Sequence, residues 1–222
     1  MNKSGRIKIA GYLLVILLVF SNFSNEKVPF EGKLKVVKVT PYDTASYQLY
    51  VKDKNLRIDT YCSEGLLAEQ MIINLNDKKV ILIEPATKKF TSIDNRFDYL
   101  GRNENYQVTK SDNYRYFNDH KCFQWRVRNK LLNTEVTYWV AETDNFDFFT
   151  DFIQIIQQSE NIFDFFLFIP GNEGYFPMMT EERTLVRKIK SQYMVKGITS
   201  ERIESDLFKI PGNYHNVNYP VR

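Results

Sequence analysis

Between Phe30 and Ile93 apolar and polar side chains alternate with a period of two, the mark of strands buried on one face. Leu34 and Val36 alternate with Lys33 and Lys35, after which Val37 and Val39 take over the apolar phase. A one-residue slip of this kind predicts a β-bulge inside a first strand over Phe30 to Thr40. Tyr47, Leu49 and Val51 against Gln48 and Lys52 predict a second strand, and Leu56 and Ile58 against Arg57 and Asp59 a third. Gln70 to Leu75 and Lys79 to Glu84 flank the turn residues Asn76-Asp77-Lys78. The second of these is almost wholly aliphatic and predicts a strand covered on both faces. With Lys89 to Ile93 the run reads as an antiparallel meander. Residues 94–121 are polar and mixed, and read as loop or short helix.

The alternation resumes with Phe123, Trp125 and Val127 against Gln124, Arg126 and Arg128, then Val136, Tyr138 and Val140 against Thr137 and Trp139. That is a hairpin, and it delivers the chain to a change of period. Phe146 to Phe168 holds eight of the 17 phenylalanines, with Phe149, Phe152, Ile153 and Ile156 at helical spacing. Asp144, Asp147 and Asp151 cluster where a helix start favours negative charge. Residues 157–161 break the stretch, so it predicts a helical hairpin at about 144–168. The four acids between Phe146 and Phe168 (Asp147, Asp151, Glu160 and Asp164) and the break argue against a membrane span, which needs roughly 20 apolar residues with few charges. Beyond it, Tyr175 to Thr180 predicts a short strand. A long closing strand follows, with Leu185, Ile189, Tyr193 and Val195 on one face. Ser205 to Phe208 reads as one helical turn before a loose tail. The class is mainly β with a helical insert (α+β).

Residues 1–21 change the compartment. Lys3, Arg6 and Lys8 precede an apolar run from Ile9 to Phe20, which reads as a secretory signal, with an uncleaved anchor as the alternative. No Cys stands at the junction to take a lipid. Residues 22–222 then form a single exported domain. The chain carries 30 Lys+Arg and 27 Asp+Glu; without the three basic residues of the signal it is neutral, which lacks the footprint of a nucleic-acid binder. Glu142 to Asp164 is acidic and Arg183 to Arg202 mostly basic, as solvated faces often are.

Cys62 and Cys122 could pair after export, but their neighbours' alternation speaks against it, and the bridge stays open. With two Cys and two distant His there is no zinc spacing, and no metal or cofactor is expected. No nucleophile elbow, metalloprotease motif, phosphate loop or dinucleotide fingerprint occurs, so the chain is not expected to be an enzyme.

The order of elements resembles the LolA/LolB-like lipoprotein-carrier superfamily, and more closely an exported bacterial domain family of unknown function assigned near it. The matching pieces are Phe30-Glu31-Gly32, Leu56-Arg57-Ile58 and Asn76-Asp77-Lys78 leading to Val80-Ile81-Leu82-Ile83-Glu84-Pro85. Tyr175-Phe176-Pro177-Met178 and Leu207-Phe208-Lys209-Ile210-Pro211-Gly212-Asn213-Tyr214 complete the set. The resemblance implies an incompletely closed antiparallel β-barrel or curved sheet covered by the Phe-rich hairpin, with an apolar cavity for acyl chains. Phe148, Phe152, Ile155, Phe165, Trp139 and Tyr193 are the candidate lining, unless they simply pack on one another as core. Arg57 points away from Leu56 and Ile58. It would hold a head group only if the interior lay on its side; the ordinary reading pairs it outward with Asp59. The expected function is periplasmic or envelope binding of a lipid or lipoprotein acyl chain, possible membrane-surface contact included. The alternative is an envelope interaction protein with a filled core.

Overall fold

The period-two segments form strands, and their ladders join into one sheet. The structure is a computed structural model and describes residues 28–94, 105–143, 145–156 and 161–217. The expected signal at 1–21 lies outside them. The strands are β1 (Gly32–Val39), β2 (Thr44–Lys52), β3 (Asn55–Tyr61), β4 (Leu67–Asn74), β5 (Lys79–Glu84), β6 (Lys89–Asp94), β7 (Tyr106–Phe117), β8 (His120–Asn129) and β9 (Thr134–Glu142). Two helices follow, α1 (Phe148–Ile156) and α2 (Asn161–Leu167), then β10 (Tyr175–Thr184), β11 (Ile189–Ser200) and β12 (His215–Asn216). Their order across the sheet is β12-β6-β5-β4-β3-β2-β1-β11-β10-β9-β8-β7. Every pairing is antiparallel except that of β12 with β6. Among the described residues the two ends of the sheet do not meet. The molecule is a curved, unclosed β-sheet with two helices on its inner face, the class expected from the sequence.

Three segments depart from the sequence reading. Residues 106–117 form an edge strand, where loop or short helix was expected. β7 pairs on one side only, is largely exposed, and slips register between Ser111 and Tyr114, so no apolar alternation marks it. β10 runs on to Thr184, past the expected end at Thr180. Glu181, Glu182 and Arg183 look like loop residues, yet they ladder with Thr137, Val136 and Glu135. Leu185 consequently lies in the turn before β11. The tail is also pinned: the His215 amide donates to the Lys88 carbonyl at 2.9 Å and the Val217 amide to the Phe90 carbonyl at 2.8 Å.

The expected bulge exists, but the extra residue belongs to β11. Lys35 faces Gly197 and Val36 faces Val195, leaving Lys196 unmatched, while β1 pairs with β2 without a break. Leu34, Val36 and Lys38 therefore keep the inner face, and Val37 and Val39 turn outward. Gly32 starts β1 at φ +156°, and a Cβ there would sit 2.2 Å from the Thr199 carbonyl oxygen. This close approach of β1 to β11 requires glycine.

The C-terminal segment crosses the outer face of β1 to β6 as a strap. The Ile203 amide donates to Glu31 Oε1 at 2.8 Å, and Lys52 Nζ donates to the Ile203 carbonyl at 2.6 Å. The amide of Ile203, more than any other group, holds the Glu31 carboxyl below its ordinary value. Farther along, Arg57 Nη1 donates to the Leu207 carbonyl at 3.0 Å. Ile83, on the outer face of β5, is 2% exposed, as expected for a strand covered on both faces.

Both cysteines are free thiols, Cys62 half-buried and Cys122 buried. Burial pushes the Cys122 thiol from 9.0 up to about 11. We expect iodoacetamide at pH 8 to label Cys62 alone in the folded protein and both residues in denaturant, read by mass spectrometry. Two protected residues would indicate a bridge, and two labelled ones an open fold. Because the folded state keeps the Cys122 proton longer, its contribution to stability is whole below pH 9.0 and declines as pH rises toward about 11.

Candidate functional site

The register of β2 to β6 stacks inner-face side chains in three rows. The deepest row is Val51, Leu56, Ile73, Val80 and Ile93, each opposite the next. Val51, Leu56 and Ile73 in it are 0% exposed. The middle row is Leu49, Ile58, Met71 and Leu82, all only half-buried although they point inward. The outermost row is Tyr47, Thr60 and Glu69. Burial thus falls and polarity rises from one end of the strands to the other.

The helices determine why the middle row is not covered. α2 packs on the far half of the sheet, where Phe165 meets Tyr106 at 4.9 Å and Phe166 meets Tyr138 at 5.3 Å between ring centroids. Tyr138 donates its hydroxyl to the Ile162 carbonyl, and Asn172 Nδ2 donates to the Phe166 carbonyl at 2.9 Å. Loss of water, chiefly, drives the Tyr138 hydroxyl well above its ordinary value, so it stays a donor. α1 is held at its start: Lys54 of the β2–β3 turn reaches Asp151 at 3.1 Å, and the Phe30 amide donates to the Asn145 carbonyl at 3.0 Å. Phe30, Phe146 and Phe148 pack together there, with centroids 4.6 to 6.0 Å apart. That aromatic floor and α2 fill one end and one half.

What remains is a hollow of about 520 Å³ between α1 and strands β1 to β6, β10 and β11. This lies within the range of small-molecule sites, roughly 300–1,000 Å³. The inner wall carries Phe152, Ile155 and Ile156 from α1, facing the half-buried middle row. Among the described residues its only charged one is Glu69, and Thr60 and Thr180 bring hydroxyls. Glu69 is itself exposed, so it marks the open end. Its carboxyl is raised, first by loss of water against the apolar wall and then by the Glu84 carboxylate. At the same level Tyr193 stacks on Tyr47 at 6.4 Å and meets Phe163 edge-on at 5.6 Å.

A family model described as "Domain of unknown function (DUF4412)" matches residues 30–214. The chain belongs to the DUF4412 family. No curated protein matches it. Among solved structures, an uncharacterized conserved protein from Thermus thermophilus is 9% identical with a TM-score of 0.54, covering 94% of this chain and 98% of that one. MucB is 8% identical at a TM-score of 0.49, over 93% of this chain and 64% of that one. A putative outer membrane lipoprotein-sorting protein domain from Vibrio parahaemolyticus is 8% identical at 0.30, over 79% and 87%. The fold likeness rests on the first of these. The expectation of a family of unknown function is met by the DUF4412 match.

Of the candidate residues, this DUF4412 chain places Phe152, Ile155 and Tyr193 on the wall of the hollow. Phe148 belongs to the floor against Phe30, and Phe165 to the packing of α2 on Tyr106. Trp139 takes the outer face: Tyr138 and Val140 hold the inner one, and Trp139 lies beneath Arg115, 4.8 Å from its guanidinium, and beside Phe117. Arg57 also points outward. Its Nε donates to Asp59 Oδ1 at 2.7 Å, and Gln70 Nε2 reaches the same oxygen at 3.0 Å, beneath the strap. The sequence reading missed Ile58, Met71 and Leu82 as lining. Their alternation was legible, but the sequence alone does not say which inward residues the helices leave uncovered.

Proposed function

We propose that this protein is an exported envelope component that holds one apolar chain, from a lipid or a lipoprotein, in the hollow between α1 and strands β1 to β6. The observation that carries this reading is the middle row: Leu49, Ile58, Met71 and Leu82 face inward, yet among the described residues they stay half-buried and line the hollow. Each buried CH₂ contributes about 0.8 kcal/mol, so an alkyl chain along that row binds without directional contacts. Phe152, Ile155 and Tyr193 close over it from the opposite side. The signal expected at residues 1–21 supports a location in the envelope. No catalytic role is assigned to any residue.

The test uses protein exported to the periplasm and purified without detergent. Organic extraction and mass spectrometry should release an acyl-chain species in near-equal amount to protein. After delipidation, the neutral fluorophore N-phenyl-1-naphthylamine should bind with a rise in emission and be displaced by dodecanol. A protein with neither retained lipid nor fluorophore uptake has no such site, and the filled-core interaction protein would then be the better account.

A further inference from the structure

We infer that the hollow selects its guest by head-group charge, accepting cationic or neutral amphiphiles and rejecting anionic ones, with Glu69 as the selecting residue. This rests on the reading of the hollow as a ligand site and goes beyond it.

The rows of β2 to β4 give the guest an orientation. The floor is sealed by Phe30, Phe146 and Phe148, and the polar residues stand at the open end. An amphiphile must therefore enter tail first, leaving its head beside Tyr47, Thr60 and Glu69. Among the described residues that line the hollow, Glu69 alone carries a charge. Among the described residues no side chain is ion-paired with it. A carboxylate at the exposed rim of an apolar wall, with no ion-paired cation among the described residues, attracts an ammonium head and repels a carboxylate or phosphate one.

The other charges near the rim leave that balance in place. Glu84 adds negative charge beside Glu69, and Lys89 stands opposite Glu84 on β6 without lining the hollow. Lys38 lies on the same inner face of β1, but its ammonium sits 5.3 Å over the Tyr193 ring and it does not line the hollow. That contact also shows that an aromatic face at the rim already accepts a cation. Thr60 and Thr180 offer hydroxyl oxygens, which an ammonium donor can use.

The experiment displaces bound N-phenyl-1-naphthylamine with dodecylamine, dodecanol and dodecanoate at pH 7.5, each below its micelle concentration, from wild type and Glu69→Gln. Equal tails cancel the apolar contribution, so the ratio reads the head group. For the wild type we expect dodecylamine to compete about tenfold better than dodecanoate, with dodecanol between them. In Glu69→Gln the ratio should fall to within about twofold, with dodecanol unchanged. Thermal melting of the variant confirms that its fold is intact. A wild type that prefers dodecanoate or shows no preference overturns the inference, as does a ratio that survives Glu69→Gln. Absence of fluorophore binding would instead remove the hollow as a site.

Discussion

Leu49→Trp will remove alkyl-chain binding and spare the fold. Leu49 stands in the middle row of β2, opposite Ile58, half-buried with its free side toward α1. In a close-packed interior a larger side chain forces its neighbours off their rotamers and costs typically 1–3 kcal/mol. An indole placed in about 520 Å³ of empty, apolar space meets no such neighbours and covers surface that water or a guest would otherwise touch. The expected change in stability is therefore under about 1 kcal/mol in either direction. Fluorophore affinity should fall at least tenfold, or about 1.4 kcal/mol, because the indole occupies the path of the tail. Urea denaturation and fluorescence titration of one sample measure both. Destabilisation beyond about 3 kcal/mol would mean that the space is already occupied by core. Undiminished affinity with a normal midpoint would put the guest elsewhere.

Phe166→Ala should have the largest effect on stability. Phe166 is 1% exposed, lies 5.3 Å from the Tyr138 ring and 5.5 Å from that of Phe149, and stacks on Trp125 at 6.5 Å. Its own carbonyl takes the Asn172 amide, so the segment after α2 depends on its position. Removing a buried phenyl ring costs about 3–5 kcal/mol through lost transfer energy and the cavity left behind. That is a large part of the roughly 5–15 kcal/mol that stabilises a domain. Phe152→Ala should cost less, since its ring already borders empty space on one side. The urea midpoints of the two variants give the order. Equal costs at both sites would show that the hollow and the packed half of the sheet do not differ, and the division drawn between them would fail.

That division is where sequence reading stopped. Period-two alternation told which side of β2, β3 and β9 faces inward, and by the same rule turned Arg57 and Trp139 away from Ile58 and Tyr138. Helical spacing in Phe146 to Phe168 identified the oily insert. Neither period says how far an insert reaches across a sheet. Phe152 and Phe165 are both buried phenylalanines, yet one borders the hollow and the other is sealed against Tyr106, because Phe165 stands on the side of α2 that meets β7 while Phe163 of the same helix turns to the hollow. β7 escaped notice for a different reason. An edge strand meets water along one side, so Thr109, Lys110 and Ser111 carry no burial signal. The bulge was misassigned because Val37 and Val39 are apolar residues on an outer face, which mimics a change of phase in β1 when the extra residue is Lys196 in β11.

The strap gives the wall of the hollow a particular mechanical character. Among the described residues, no second sheet lies behind β2 to β6, and a ribbon of chain is attached there at Ile203, Leu207 and His215. A partition one strand thick, stitched at three points, can bow outward by bending between its stitches without breaking a ladder hydrogen bond. On the proposed reading, guests of different girth would be met by flexing this wall rather than the braced half around Tyr138.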